Sequence, residues 1–145
     1  WTQDTVEQIR KYTDRKMIIR PHPLYRKSSL HNTLKEKILA TADVHWQEAD
    51  VTKSDFVPIA EQLKQAWCTV TYSSGTGIDA VINGVPNIAC DTGSMVYDVS
   101  SKNVSEIENP FRGHKKEWTN KIAHCQWSIE EFESGECWQH VTKSI

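Results

Sequence analysis

The segment Thr69–Asp91, TVTYSSGTGIDAVINGVPNIACD, constrains the fold more than any other part of the chain. Cys68–Tyr72 is rich in β-branched and aromatic residues and reads as a strand. Gly77–Asn83 reads as a short helix. Gly84 suits the left-handed position just past a helix end, and Pro86 prevents continuation. Val85–Ala89 reads as the next strand. Two strands joined through a helix pair in parallel, with a right-handed crossover. Between the first strand and the helix lie five small residues, Ser73, Ser74, Gly75, Thr76 and Gly77.

The rest of the chain follows the same alternation. Trp1–Tyr12 reads as a helix, with Val6 and Ile9 at helical spacing. Met17–Ile19 is a short apolar run stopped by RPHP, whose prolines remove backbone donors. Ser28–Thr41 has Leu30, Leu34 and Ile38 on one helical face. Asp43–Trp46 reads as a strand. Asp55–Ala66 reads as a helix capped by Asp55, with Val57, Ile59, Ala60 and Leu63 inward. A loose region runs to Gly113. Lys115–Gln126 is helical, and SIEE from Ser128 to Glu131 is a capping box that starts another helix. Gly135 precedes a last helical stretch, Glu136–Val141.

This order predicts the α/β class. The expectation is one Rossmann-like domain over 1–145: a three-layer sandwich with a parallel sheet of about four strands and extra C-terminal helices. A length of 145 residues suits one core, and 38% hydrophobic with 25% charged residues suits a soluble globular chain. No apolar run approaches the roughly 20 residues of a membrane span, and no secretory signal opens the chain. Cys68, Cys90, Cys125 and Cys137 form no C-x-x-C pair, so no disulfides and a cytoplasmic location are expected. The absence of an initiator Met points to a fragment or to a trimmed chain.

Charge is unevenly spread. Arg10, Lys11, Arg15, Lys16, Arg20, Arg26 and Lys27 crowd one segment, while Glu130, Glu131, Glu133 and Glu136 crowd another. The basic segment suits an anionic ligand or a solvated helix face.

In parallel sheets ligands bind at the carboxyl ends of the strands. The Ser73–Gly77 turn falls there, at a helix start, where amides and the helix dipole favour phosphate. Ser73, Ser74 and Thr76 add hydroxyls, and Gly75 and Gly77 permit close approach. The same small residues also serve a helix cap and tight turn. No Lys-Ser/Thr follows, so this is not a P-loop, and G-x-G-x-x-G is absent. Asp79 lies where a carboxylate meets either the dipole or the hydroxyls of a ribose. Arg20 and His22 end another strand; Arg20 suits phosphate, and His22 can donate a hydrogen bond to it. Arg20, His22, the turn and Asp79 are expected to line one pocket. Valine at Gly75 or Gly77 is expected to weaken nucleotide binding with the fold intact. Trp46, after a strand, is a further position where a base could stack. The spacing of His31, His45, His114, His124 and His140 supports no metal site.

Together, RPHP after one strand and YSSGTGIDAVINGVPNI after another resemble the C-terminal, Rossmann-like half of GT-B-type glycosyltransferases. The likeness is to capsule-polysaccharide, CDP-glycerol and sialyl-type transferases, and to UDP-sugar epimerases of the same fold. The matching positions are Arg20, His22 and Pro23; Ser73 through Gly77; Asp79 before Ala80; and Gly84 with Pro86. The tail EWTNKIAHCQWSIEEFESGECWQHV is similar to that of small phage-encoded members. Family members often carry Glu where this chain has Asp79.

The resemblance implies binding of a nucleotide-sugar donor as substrate, with no cofactor and no metal. It implies that acceptor and catalytic base come from an N-terminal half or partner chain beyond these residues. The alternative is a non-catalytic nucleotide- or partner-binding module of the same fold, possible in a phage-encoded protein.

Overall fold

A computed structural model describes residues 1–22, 29–48, 50 and 52–143, with backbone alone for 29–31. Pro23, Arg26 and Lys27 lie outside the described residues. In chain order the elements are α1 (Thr2–Arg10), β1 (Met17–Ile19), α2 (Ser29–Leu39), β2 (Val44–Trp46), α3 (Ile59–Leu63), β3 (Thr69–Thr71), α4 (Thr76–Ile82), β4 (Asn87–Ala89), α5 (Lys116–His124), α6 (Ile129–Glu133) and α7 (Glu136–Lys143). Two 3-10 turns, Tyr97–Val99 and Val104–Glu106, fall between β4 and α5. The chain divides into two compact units, Trp1–Arg112 and Gly113–Ile145.

The first unit is α/β with parallel pairing, as the crossover argument requires. β1 pairs with β2 through Met17–Val44, Ile18–His45 and Ile19–Trp46. β3 pairs with β4 through Thr69–Asn87, Val70–Ile88 and Thr71–Ala89. These are two separate two-stranded sheets, where one continuous sheet was expected. Every strand is three residues long, which leaves few outward bonds to extend a ladder. The far edge of β4 is instead taken by Ser101, which pairs with Ile88; Ser101 N–H bonds the Asn87 carbonyl at 2.9 Å.

Helices α1 and α2 cover one face of β1–β2. Val6, Ile38 and Val44 are buried there, with Met17, Ile19, Leu34 and Trp46 packed against them. The opposite face is open: Ile18 is 48% exposed, and its cross-strand neighbour His45 is exposed as well. A three-layer sandwich would cover both faces, so this sheet departs from that expectation. A second core joins Leu63 of α3 to Ala80 of α4 and to Val85, with Ile59 and Ala66 beside them.

The amino-terminal ends of β1 and β3 meet. Arg15, just ahead of β1, stacks 4.3 Å from the ring of Trp67, just ahead of β3. Arg112 lies 4.7 Å from the same ring, and the Trp67 indole donates to the Ile107 carbonyl at 2.8 Å. Glu108 accepts from Arg15 Nη2 at 3.1 Å and from the Thr13 hydroxyl. Cation–π contact and ion pairing together fasten the segment after the second 3-10 turn to the base of the strands.

α3 starts later than expected. Asp55 does not cap it; Pro58 is the N-cap and Ile59 the first helical residue. The residue before a proline disfavours helical geometry, so Val57 stays outside. At α4 the expectation holds. Gly84 has φ +78°, its N–H bonds the Val81 carbonyl, and Val85 N–H bonds the Ala80 carbonyl. That pair of bonds is a Schellman stop. In the second unit the Ser128–Glu131 capping box forms, with both reciprocal bonds present.

Candidate functional site at the carboxyl edge of β3 and β4

A buried polar node lies beneath the first turn of α4, where Asn87 Nδ2 is 3.7 Å from the position of a Cβ on Gly77. Asn87 is fully buried at the start of β4. Its side-chain oxygen accepts from the hydroxyls of Thr69 at 2.8 Å and Thr71 at 3.2 Å, and its amide donates to Ser100 Oγ at 3.1 Å. A buried amide left unpaired is costly, so the surrounding hydroxyls are what make Asn87 tolerable there.

Above the node, α4 approaches the strands closely because Gly77 lacks a side chain. A Cβ on Gly77 would lie 2.9 Å from Cγ2 of Val96 and 3.2 Å from Oγ1 of Thr71. Valine at Gly77 therefore forces Val96 or Thr71 to shift, a packing cost that the sequence expectation did not include. Gly75 differs: a Cβ there meets nothing within 4 Å, and its φ of −55° suits any residue. Of the two glycines, only Gly75 leaves open space in front of the backbone.

Ser73, Ser74 and Gly75 are exposed, and Thr76 is half-buried. Several turn groups are already engaged. Ser74 Oγ accepts from Thr76 N–H at 3.2 Å, and the Ser74 carbonyl accepts from Gly77 N–H at 3.0 Å. The Gly75 carbonyl accepts from Ile78 N–H at 2.9 Å. What the turn offers outward is mainly its hydroxyls. Asp79 is exposed on α4, and its carbonyl accepts from the Asn83 side chain at 2.8 Å.

Arg20 is held elsewhere. Its Nη1 donates to the Val57 carbonyl at 2.6 Å and to Gln62 Oε1 at 2.8 Å. Its guanidinium lies 5.9 Å from the Phe56 ring, and burial lowers its pKa. Arg20 thus fastens the end of β1 to the start of α3. His22 is exposed. Trp46 packs against the first core and donates to Glu48 Oε1 at 3.0 Å, which accounts for its ring without a ligand.

Three residues at this edge escape notice in the sequence. Tyr72, directly after β3, is 46% exposed and meets the Trp1 ring edge-on at 5.3 Å. A hydrogen bond to Asp91, and then that carboxylate's charge, push its phenol pKa up. Asp91 follows β4 and accepts from Gly93 N–H at 2.8 Å. Ser94 Oγ is buried and has no hydrogen-bond partner among the described residues. The rule that points to Ser73, that strand ends carry ligands, applies equally to Tyr72 and Asp91.

All four cysteines are free thiols. Burial pushes Cys68 up to about 12 and raises Cys90, so neither is an activated nucleophile. Among the described residues no three His, Cys, Asp or Glu side chains gather to hold a metal ion, and no helix is long and apolar enough to cross a membrane. No protein-family model matches the chain, and neither curated proteins nor solved structures match it significantly.

Proposed function

We propose that the carboxyl edge of β3–β4 binds the phosphates of a nucleotide-sugar, and that the chain is the donor-binding half of a GT-B-type glycosyltransferase. The observation that carries this reading is the open edge itself. Exposed Ser73 and Ser74 flank Gly75, whose front is clear to 4 Å, in a strand–turn–helix–strand unit with parallel pairing.

On this reading the two sheets are halves of one Rossmann-like layer, supported by the stacking of Arg15 on Trp67 at the opposite ends of β1 and β3. Hydroxyls of Ser73, Ser74 and Thr76 hold the phosphates, and Asp79 faces the ribose. In transfer, displacement at the anomeric carbon frees a nucleoside phosphate, whose growing charge these donors stabilise. The acceptor and the general base belong to a further N-terminal half or partner chain. Arg20, held at α3, positions that segment.

A thermal-shift panel of UDP, CMP, CDP and GDP tests the reading. At least one should raise the melting temperature of the parent and raise it less in Gly75→Val. No shift with any of them sinks the proposal. The second reading, a non-catalytic partner-binding module, is favoured by the C-terminal unit, where Ile129, Phe132 and Trp138 are 73%, 63% and 72% exposed.

A further inference from the structure

The Tyr72 ring has an unusual setting for so exposed a side chain. It stands immediately after β3 and immediately before Ser73, so it belongs to the same carboxyl edge as the turn. The residue before it, Thr71, is buried, whereas Tyr72 keeps 46% of its surface in water. Trp1 braces the ring edge-on at a centroid distance of 5.3 Å and an interplanar angle of 74°. Asp91, whose hydrogen bonding and charge raise the Tyr72 phenol pKa, accepts from Gly93 N–H at 2.8 Å.

We propose that Tyr72 is the platform on which the base of a bound nucleotide stacks; this inference rests on the nucleotide reading above. A ring braced edge-on by Trp1 has less rotamer freedom left to lose, so stacking against it carries a smaller entropic cost. Two or three residues of a bent turn separate Tyr72 from Ser74 and Gly75, so the two lie within roughly 7–10 Å along the backbone. That is the reach of a nucleotide from its base across the ribose to a phosphate. Aromatic stacking tolerates every base, because each has a π-face. Tyr72 therefore contributes affinity for the nucleoside part, and the hydroxyls of the turn contribute affinity for the phosphates.

Calorimetric titration of the full chain with UDP, CDP and inorganic pyrophosphate tests the proposal, using the parent, Tyr72→Ala and Tyr72→Phe. Tyr72→Ala should weaken UDP or CDP binding about tenfold and leave pyrophosphate binding unchanged. Tyr72→Phe should keep most of the nucleotide affinity, and base protons should shift upfield on binding to the parent. If Tyr72→Ala binds nucleotide as the parent does, the stacking role is overturned while the phosphate site stands. If the parent binds neither pyrophosphate nor nucleotide, the nucleotide reading falls and takes the platform with it.

Discussion

Gly77 and Val96 are in contact in the only way a glycine allows: a methyl group on Gly77 would sit 2.9 Å from Val96 Cγ2. Val96 is completely buried, so any shift must be made against the packed interior. Gly77→Ala should therefore destabilise the first unit by about 1–3 kcal/mol, the usual range for overpacking. Gly75→Ala should be neutral or stabilising by up to about 1 kcal/mol, since its backbone is helical and its front open. Urea denaturation of the two variants reads the difference directly. Equal midpoints would contradict the packing role of Gly77.

Asn87 carries the polar node. Asn87→Leu would deprive the Thr69, Thr71 and Ser100 hydroxyls of a shared partner beneath α4. The expected loss is about 1–3 kcal/mol. A midpoint unchanged from the parent would mean that the hydroxyls find other partners.

Glu108 gives the fold an acid-sensitive contact. Hydrogen bonds from Thr13 and then Arg15 hold its pKa below the ordinary 4.5. A carboxylate with a depressed folded pKa stabilises the fold fully above the unfolded value. That contribution is lost as pH falls through the folded value. The melting temperatures of the parent and Glu108→Gln should differ at neutral pH and converge as pH falls below 4.5. A constant difference down to pH 3 would exclude the linkage.

In the second unit, Ser128 accepts from Glu131 N–H at 3.2 Å and Glu131 accepts from Ser128 N–H at 2.6 Å. Ser128→Ala should cost α6 about 1 kcal/mol. Hydrogen exchange at the Glu131 amide should then quicken severalfold, with amides of β3 and β4 unaffected.

The elements that were legible in sequence are those with local chemistry. Gly84 and Pro86 announce the end of α4, and Ser128 with Glu131 announces α6. What was hidden depends on packing between distant residues. Nothing near Gly77 reveals that Val96 will press on it, so its glycine reads as an opening for a ligand. Arg20 reads as a phosphate ligand because its partners, Val57 and Gln62, are far along the chain. Asn87 reads as an ordinary strand residue until Thr69, Thr71 and Ser100 surround it. The open face at Ile18 was equally unreadable, since an apolar strand residue looks the same whether or not a helix covers it.

The most direct measurement is amide chemical-shift mapping of the full chain titrated with UDP and CDP, alongside Gly75→Val. A nucleotide-binding edge should produce saturable shifts concentrated at Tyr72–Thr76 and Asp91–Ser94, weakened in Gly75→Val with its spectrum otherwise intact. Absence of saturable shifts at millimolar nucleotide, or shifts confined to other parts of the chain, would contradict a nucleotide site at the carboxyl edge of β3 and β4.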